Sequence, residues 1–414
     1  VITRERGGLL RSRDFRLLWT GETTSVLGSS IAVVALPLVA VVTLQASTFA
    51  VGLLTAAAWL PWLLIGLPAG AWIDRRPKRP IMLVCNTLSM VVFLSVPVAA
   101  WLGLLTMTQL LVVALAGGAA KVFFNVAYRA YLPSLVDKGD LQEANQKLQG
   151  SESAAQIGGP GLAGLLAQGF GAVTGVLADA VSFGISALCL RSIRYREPAR
   201  PAATRSRLRD EIRDGLVFVV HDPYLRVLAV FGAISNVALM GYQSIEVVFL
   251  ARDLGAGPGV VGLVLALAGA GGVFGAALSG KLAARIGTAR SFILCEGSGA
   301  LMMLLGPLAQ GGWGLAFFVA AGFALSAGVV GSNVLNATFK QRYVPAAMFG
   351  RVTASMSVLS FGAIALGGLL GGILGETAGV RQTLWLMAGL EVVAVFALLF
   401  TPIGRCRDFP ADRV

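Results

Sequence analysis

The chain has 414 residues, of which 56% are hydrophobic and only 13% charged, and its mean hydropathy is +0.78. Soluble domains carry about one quarter charged residues, so this composition excludes a water-soluble globular protein and points to lipid. The net charge of +12 raises the question of nucleic acid, which the placement of the charges answers.

Apolar runs long enough to cross a hydrocarbon core, about 20 residues each, recur along the whole chain. Twelve are predicted, at 16 to 44, 49 to 72, 80 to 103, 108 to 135, 143 to 169, 173 to 191, 223 to 251, 258 to 283, 291 to 309, 313 to 339, 347 to 376 and 382 to 402. Apart from Arg252, Arg381 and Lys121, every Lys and Arg lies in or beside the N-terminus, an even-numbered joint or the C-terminal tail. This is the positive-inside pattern. It predicts a multi-pass protein of the cell membrane with both termini cytoplasmic, and it removes nucleic acid from the expected partners. The first span follows a basic N-terminus and is too long for a signal h-region, so it is expected to stay and anchor.

In the first span, "WTGETTSVLGSSI" places Glu22, Ser25 and Ser29 at i, i+3 and i+7, one polar stripe on an apolar helix. The second span ends in "GAWIDRRPKRP", residues 70 to 80, where Asp74 precedes Arg75, Arg76, Lys78 and Arg79. The bases hold that joint on the cytoplasmic side; the acid needs a separate reason. Lys121, Asn125, Tyr128 and Arg129 form a stripe on the fourth span, "GGPGLAG" gives the fifth Gly159, Pro160 and Gly164, and the sixth carries Asp179.

The one long polar stretch, residues 191 to 224, divides six spans from six. Three parts follow: a six-helix bundle at 1–191, a cytoplasmic linker at 192–222, and a second bundle with a short tail at 223–414. Within the linker, residues 206 to 220 can form an interfacial amphipathic helix with Leu208, Ile212, Leu216 and Val219 on one face, or remain a solvated basic tether.

The seventh span offers Asn236, Gln243 and Glu246, and the tenth Asn333, Asn336 and Lys340. An ionisable side chain in a span is costly unless it is paired or faces a cavity, so each is a functional candidate. Counting about 1.5 Å per residue puts Glu22 and Arg129 at similar depth, a candidate pair. Glu296 and Glu391 lie on the ninth and twelfth spans without an assigned role. His221 beside Asp222 is expected to be interfacial. The run "GAALSGKL" at 275–282 nearly fits a phosphate-cradling loop, but Leu282 replaces the required hydroxyl and the run lies inside an apolar helix. Cys85, Cys189, Cys295 and Cys406 have no metal or redox spacing. No metal, cofactor or catalytic constellation is expected, and no enzyme.

The halves correspond. Arg16 matches Arg226, and Gly70 and Arg75 match Gly280 and Arg285, at an offset of 210; Pro133 and Pro345 are 212 apart. A duplicated six-helix unit is the plan of many secondary transporters, which bind substrate near the midplane at the repeat interface.

The stretch "GAWIDRRPKR" resembles the signature that follows the second helix in the major facilitator superfamily. "YRAYLPSLVDKGDLQEANQ" and "ADAVSFGISAL" resemble segments of its drug–proton antiporter-like branch, which includes macrolide and enterobactin exporters. The resemblance implies an all-α integral membrane fold of twelve transmembrane helices in two pseudo-symmetric six-helix bundles. It further implies a cavity lined by helices one, four, seven and ten, and a latch formed by Gly70, Asp74, Arg75, Lys78 and Arg79. Its helix-five antiporter signature falls on Gly159, Pro160 and Gly164, and its contact between halves on helices two, five, eight and eleven. The chain departs from the family at Glu22 and Ser29, where relatives often show Gln and Asp, and at Ala284, where the second-half signature would have its acid.

Together these readings predict proton-coupled export of amphiphilic small molecules by alternating access. Glu22, Arg129 and Glu246 are the proton-coupling candidates. Ser25, Ser29, Lys121, Asn125, Tyr128, Asn236, Gln243, Asn333 and Asn336 are the cavity candidates. The expected partners are a small-molecule substrate, protons and the bilayer, with the protein a monomer. The alternatives are a dedicated exporter of a siderophore or other secondary metabolite, an uptake transporter, and a non-transporting membrane sensor.

Overall fold

The computed structural model describes residues 9–73, 76–137, 139–195, 197 and 208–410. Asp74 and Arg75, and with them the centre of the expected latch, lie outside the described residues. The described chain is helical, with no strand. In lipid no water is available to satisfy backbone groups, and a helix satisfies them within itself.

The first six long helices are α1 (Arg13–Leu38), α2 (Thr48–Ile73), α3 (Lys78–Trp101), α4 (Met107–Leu135), α5 (Leu141–Phe170) and α6 (Val173–Ser192). A shorter α7 (Leu208–His221) leads to α8 (Pro223–Val248), α9 (Pro258–Ile286), α10 (Thr288–Met303), α11 (Leu315–Tyr343), α12 (Ala346–Thr377) and α13 (Val380–Leu398). Eleven helices among the described residues are long and apolar enough to cross a membrane. The remaining long helix is α5, whose 30 residues begin with the polar LQEANQKLQGSES. The sequence expectation of an apolar fifth span therefore holds only for its second half.

Two compact units are formed, Val1–Ala46 with Ala57–Arg205, and Ser47–Ala56 with Ser206–Val414. In the first, α1 packs along α5 and α6, and α3 along α4 and α6. Small residues set these approaches. A Cβ at Gly28 would meet Ser182 and Asp179 of α6, and one at Gly159 would meet the backbone of Ser30 in α1. Without a hydrophobic drive between helices in lipid, such close backbone packing supplies the attraction. Phe15, Ile73, Met82, Tyr131, Leu135 and Leu190 are fully buried in the core of this unit.

In the second unit α9 lies along α11, and α8 along α12 and α13. A Cβ at Gly271 or Gly275 would run into the backbone of Phe323 or Ala327 of α11. The dense glycines of the eighth span thus pack this helix against α11 inside one unit. The phosphate-loop decoy at 275–282 is continuous helix.

The internal repeat reappears as paired local devices. Both α1 and α8 run into a π-helical turn, Val39–Thr43 and Phe249–Asp253. Each turn is followed by a positive φ, 50° at Gln45 and 63° at Gly255. The start of α3 is capped by Glu197, whose carboxylate accepts from Lys78 N at 2.8 Å and Arg79 N at 3.3 Å. The start of α10 is capped by Asp408, which accepts from Thr288 N at 2.8 Å. In both cases a chain segment beyond the sixth helix of its set returns an acid to the third, where free N–H groups and the helix dipole favour negative charge.

The linker helix α7 packs against α12 through Gly215, a Cβ on which would meet Arg351 and Ser355, and through buried Val219. Arg351 adds an ion pair to Asp214 at 2.9 Å. Leu216 is 41% exposed together with Val217 and Val220, so it does not share the buried face with Val219 that the sequence spacing suggested. Side-chain positions of Leu208 and Ile212 lie outside the described residues. His221 is exposed and its Nδ1 lies 2.8 Å from Val217 O. Its neighbour Asp222 is the buried member, accepting from Tyr224 N and Leu225 N at 3.0 Å and from the Tyr343 hydroxyl at 2.8 Å.

Candidate functional site

In the first unit the site grows from the middle of α1. Gly21 faces Ser186 and Cys189, Gly28 faces Ser182 and Asp179, and Ser25 is buried between them. The α6 contact therefore takes Ser25 out of the stripe, while Glu22 and Ser29 stay half-buried on the adjoining face. The Trp19 indole, one turn before Glu22, donates to Ser151 Oγ of α5 at 3.0 Å. This bond fixes the polar half of α5 beside α1.

Glu22 Oε2 is buried and has no hydrogen-bond partner among the described residues. Two charges act on this carboxyl, the repulsion of Glu152 on α5 and the attraction of Lys121 on α4. Tyr128, one face of whose ring stacks on Phe124, feels both Glu22 and Glu152. Glu152 was not singled out from the sequence; its signal is an acid in the polar half of a segment that otherwise reads as a span. Lys121 also acts on Asp179, which is 1% exposed and accepts from Ser182 Oγ at 3.2 Å. One lysine thus serves two buried acids.

Arg129 is exposed, and no ion pair among the described residues joins it to Glu22. Asn125 donates to the Lys121 carbonyl at 2.9 Å. Gly159 and Gly164 are buried and Pro160 half-buried within α5, which continues as helix through the proline. Around the expected latch, Gly70 has open space beside its Cα. Lys78 is buried. Arg79 donates to the carbonyls of Leu190 at 2.9 Å and Arg191 at 2.7 Å, closing the end of α6. Arg76 stacks its guanidinium over Trp72 at 4.2 Å.

In the second unit Glu246 is half-buried and acts on Tyr242, one turn earlier on α8. Asn236 donates to Gly232 O at 2.7 Å. Gln243 and Asn333 are exposed, and Asn336 Oδ1 is a buried acceptor without a partner among the described residues. Away from this stripe, Glu391 of α13 is 1% exposed and accepts from Ser235 Oγ at 2.9 Å. No group of three or more metal-binding side chains occurs among the described residues, and all four cysteines are free.

Comparison with known proteins supplies the context. The sequence model of the family described as transmembrane secretion effector, of the MFS class, matches residues 8–409. The multidrug efflux pump Tap of Mycolicibacterium fortuitum is 27% identical over 407 residues, 95% of this chain and 96% of the pump. Tap of Mycobacterium tuberculosis is 26% identical over 87% of each chain. An uncharacterized MFS-type transporter of Sinorhizobium fredii, y4rN, is 27% identical over 85% of this chain and 86% of its own.

Among solved structures, a mutant form of the nucleoside transporter NupG superimposes with a TM-score of 0.81 at 14% identity, covering 94% of this chain and 99% of that one. A bacterial homologue of the iron transporter ferroportin, in its inward-facing state, gives 0.76 at 17% identity over 95% and 99%. At such identities these likenesses establish the fold of two six-helix bundles. With the family match spanning nearly the whole sequence, the chain belongs to the transmembrane secretion effector family of major facilitator superfamily transporters.

Proposed function

We propose that this secondary transporter exports amphiphilic small molecules in exchange for protons, and that Glu22 is a carboxyl that gains and loses the coupling proton. The observation that carries the reading is the unpartnered, buried Oε2 of Glu22 under the opposing influence of Lys121 and Glu152. A buried carboxylate is tolerated with a nearby cation, and its neutral form is favoured when that cation is withdrawn or screened. Movement of α4 or α5 relative to α1 would change this balance, which is what coupling by alternating access requires. The multidrug efflux pumps among the relatives supply the substrate class. Both termini are cytoplasmic in this reading, as the placement of Lys and Arg requires.

The test is transport by proteoliposomes under an imposed pH gradient, over a panel of cationic, neutral and anionic amphiphiles. The expected result is gradient-driven accumulation of at least one class and its loss, by at least about tenfold, in Glu22→Gln, since a removed proton-transfer group costs about 10²–10⁴ in comparable chemistry. Gradient-driven transport at the unaltered rate in Glu22→Gln sinks the carrier assignment and leaves Glu246 to be tried. Transport driven only in the opposite direction makes the protein an importer.

A further inference from the structure

The second unit holds two acids that neither stripe uses. Glu391 of α13 is 1% exposed; Ser235 Oγ of α8 donates to its Oε1 at 2.9 Å, and its Oε2 has no partner among the described residues. Glu296 is on α10, beside Gly297, whose added Cβ would touch Val395 of α13 one turn from Glu391, and it feels the charge of Glu391. The packing of α10 on α13, and of α13 on α8, brings half-buried Glu296 and buried Glu391 into one neighbourhood.

The charges around them are unusual for such a place. Cys295, the neighbour of Glu296 in sequence, feels that acid. Among the described residues no lysine, arginine or histidine of α8, α10, α11, α12 or α13 acts on either carboxyl, and none of the ion pairs includes them. Two neighbouring carboxylates without a cation repel each other, and Glu391 has in addition lost its water, with only the Ser235 hydroxyl among the described residues to compensate. A proton resolves both problems at once. It removes one charge, and it leaves the unpartnered Oε2 of Glu391 a neutral group, which is far less costly to bury than a charged one. The repeat sharpens the point. Asn86 of α3 stands where Glu296 stands in α10, at the offset of 210 residues, and it donates to Ser186 Oγ at 2.7 Å without any charge.

We propose that Glu296 and Glu391 form an exchangeable proton-binding site inside the second unit, distinct from Glu22, in which a proton taken from water converts one of the two carboxylates to a carboxylic acid. The site goes beyond the transport reading, because it binds its proton without any substrate. The reaction is a plain protonation: an O–H bond forms on a carboxylate oxygen, and none other breaks than that in the donating hydronium or buffer acid.

The experiment is pH-difference infrared spectroscopy of the full chain in liposomes without substrate, following the C=O stretch of protonated carboxyls and its displacement in D2O. The expected result is a band that is present at low pH, disappears reversibly as pH rises, and is lost in Glu391→Gln and lost or displaced in Glu296→Gln. Ser235→Ala, which keeps both acids, is expected to move the band without removing it. Proton release on an upward pH jump, read with a dye in bulk solution, falls by one proton per chain in Glu391→Gln. Difference spectra of Glu391→Gln and Glu296→Gln that superimpose on that of the unaltered protein overturn the proposal. So does a band that persists unchanged until the protein unfolds, which would make the acid a permanent structural one. Glu22→Gln retains the band, so a failure of the export reading and a failure of this site give different results.

Discussion

The two six-helix units repeat one architecture and manage their buried acids in opposite ways. In the first, the charge of Lys121 acts on both Glu22 and Asp179. In the second, Glu296 feels the charge of Glu391, whose partner is the Ser235 hydroxyl and not a base. The lesson is that the fold tolerates a charged group at these depths by either of two routes, a counter-charge or a proton, and duplication leaves each half free to take its own. A counter-charge is present at every pH, whereas a bound proton follows the solution. On the two proposals made above, the first unit would switch when helices move and the second when pH moves.

A second contrast lies at the helix starts. Ser12 caps α1 with a long 3.4 Å bond to Phe15 N, and the Tyr131 hydroxyl of the same unit is buried without a partner among the described residues. At the matching place Asp222 caps α8 with two 3.0 Å bonds and also receives the Tyr343 hydroxyl. The largest stability effect is accordingly expected for Asp222→Ala. Loss of a cap is worth about 0.5–2 kcal/mol, and an orphaned buried hydroxyl adds about 1–3 kcal/mol. Thermal unfolding in detergent checks this, with Ser12→Ala as the partner measurement expected near the low end of the capping range. Equal losses in the two variants would break the contrast.

Next in size is Lys121→Met. Lys121 is exposed, and solvent-screened charge interactions of this class are worth up to about 1 kcal/mol, here exerted on two acids. The sign with pH is fixed by the acids. The penalty is present where Glu22 and Asp179 are charged and fades as pH falls and both are neutralised, so unfolding temperatures of variant and parent converge in acid. Glu391→Gln, which removes an acid with no base, is expected to do the reverse and gain relative stability as pH rises. Parallel pH profiles for the two variants would show that the units handle charge alike.

The smallest effect belongs to Arg351→Ala. Its ion pair with Asp214 joins two exposed side chains, a class worth about 0.2–1 kcal/mol. The docking of α7 rests on Gly215 and Val219 instead, and protection of the α7 amides in hydrogen exchange is expected to survive the substitution. Wholesale loss of that protection would place the ion pair, and not the packing, as the hold on α7.

Much of this was legible in one dimension. Spans, their alternating charged joints and the 210-residue correspondence follow from residue types alone, because lipid imposes a length on every apolar run and the joints carry the sorting charge. The polar stripes of α1 and α4 were legible as candidates because helical spacing is a property of the chain. The membership of Glu152 was not, since an acid in the polar first half of α5 looks like one more solvated side chain until Trp19 and Ser151 bring that helix against α1. Likewise Ser25 shared its stripe with Glu22 by spacing, but Gly21 and Gly28 turned its side toward α6.

Residue types alone place this chain in the membrane and reveal two corresponding halves, because hydropathy, helix pitch and charge placement act locally. Which acid feels the charge of a base emerges from the packing of the helices. Glu22, Asp179, Glu296 and Glu391 look alike in the chain, each a lone acid in an apolar run. What separates them is the side chain that another helix, distant in the chain, brings within reach. Coulombic interactions depend on distance and local dielectric, and the linear order of residues specifies neither.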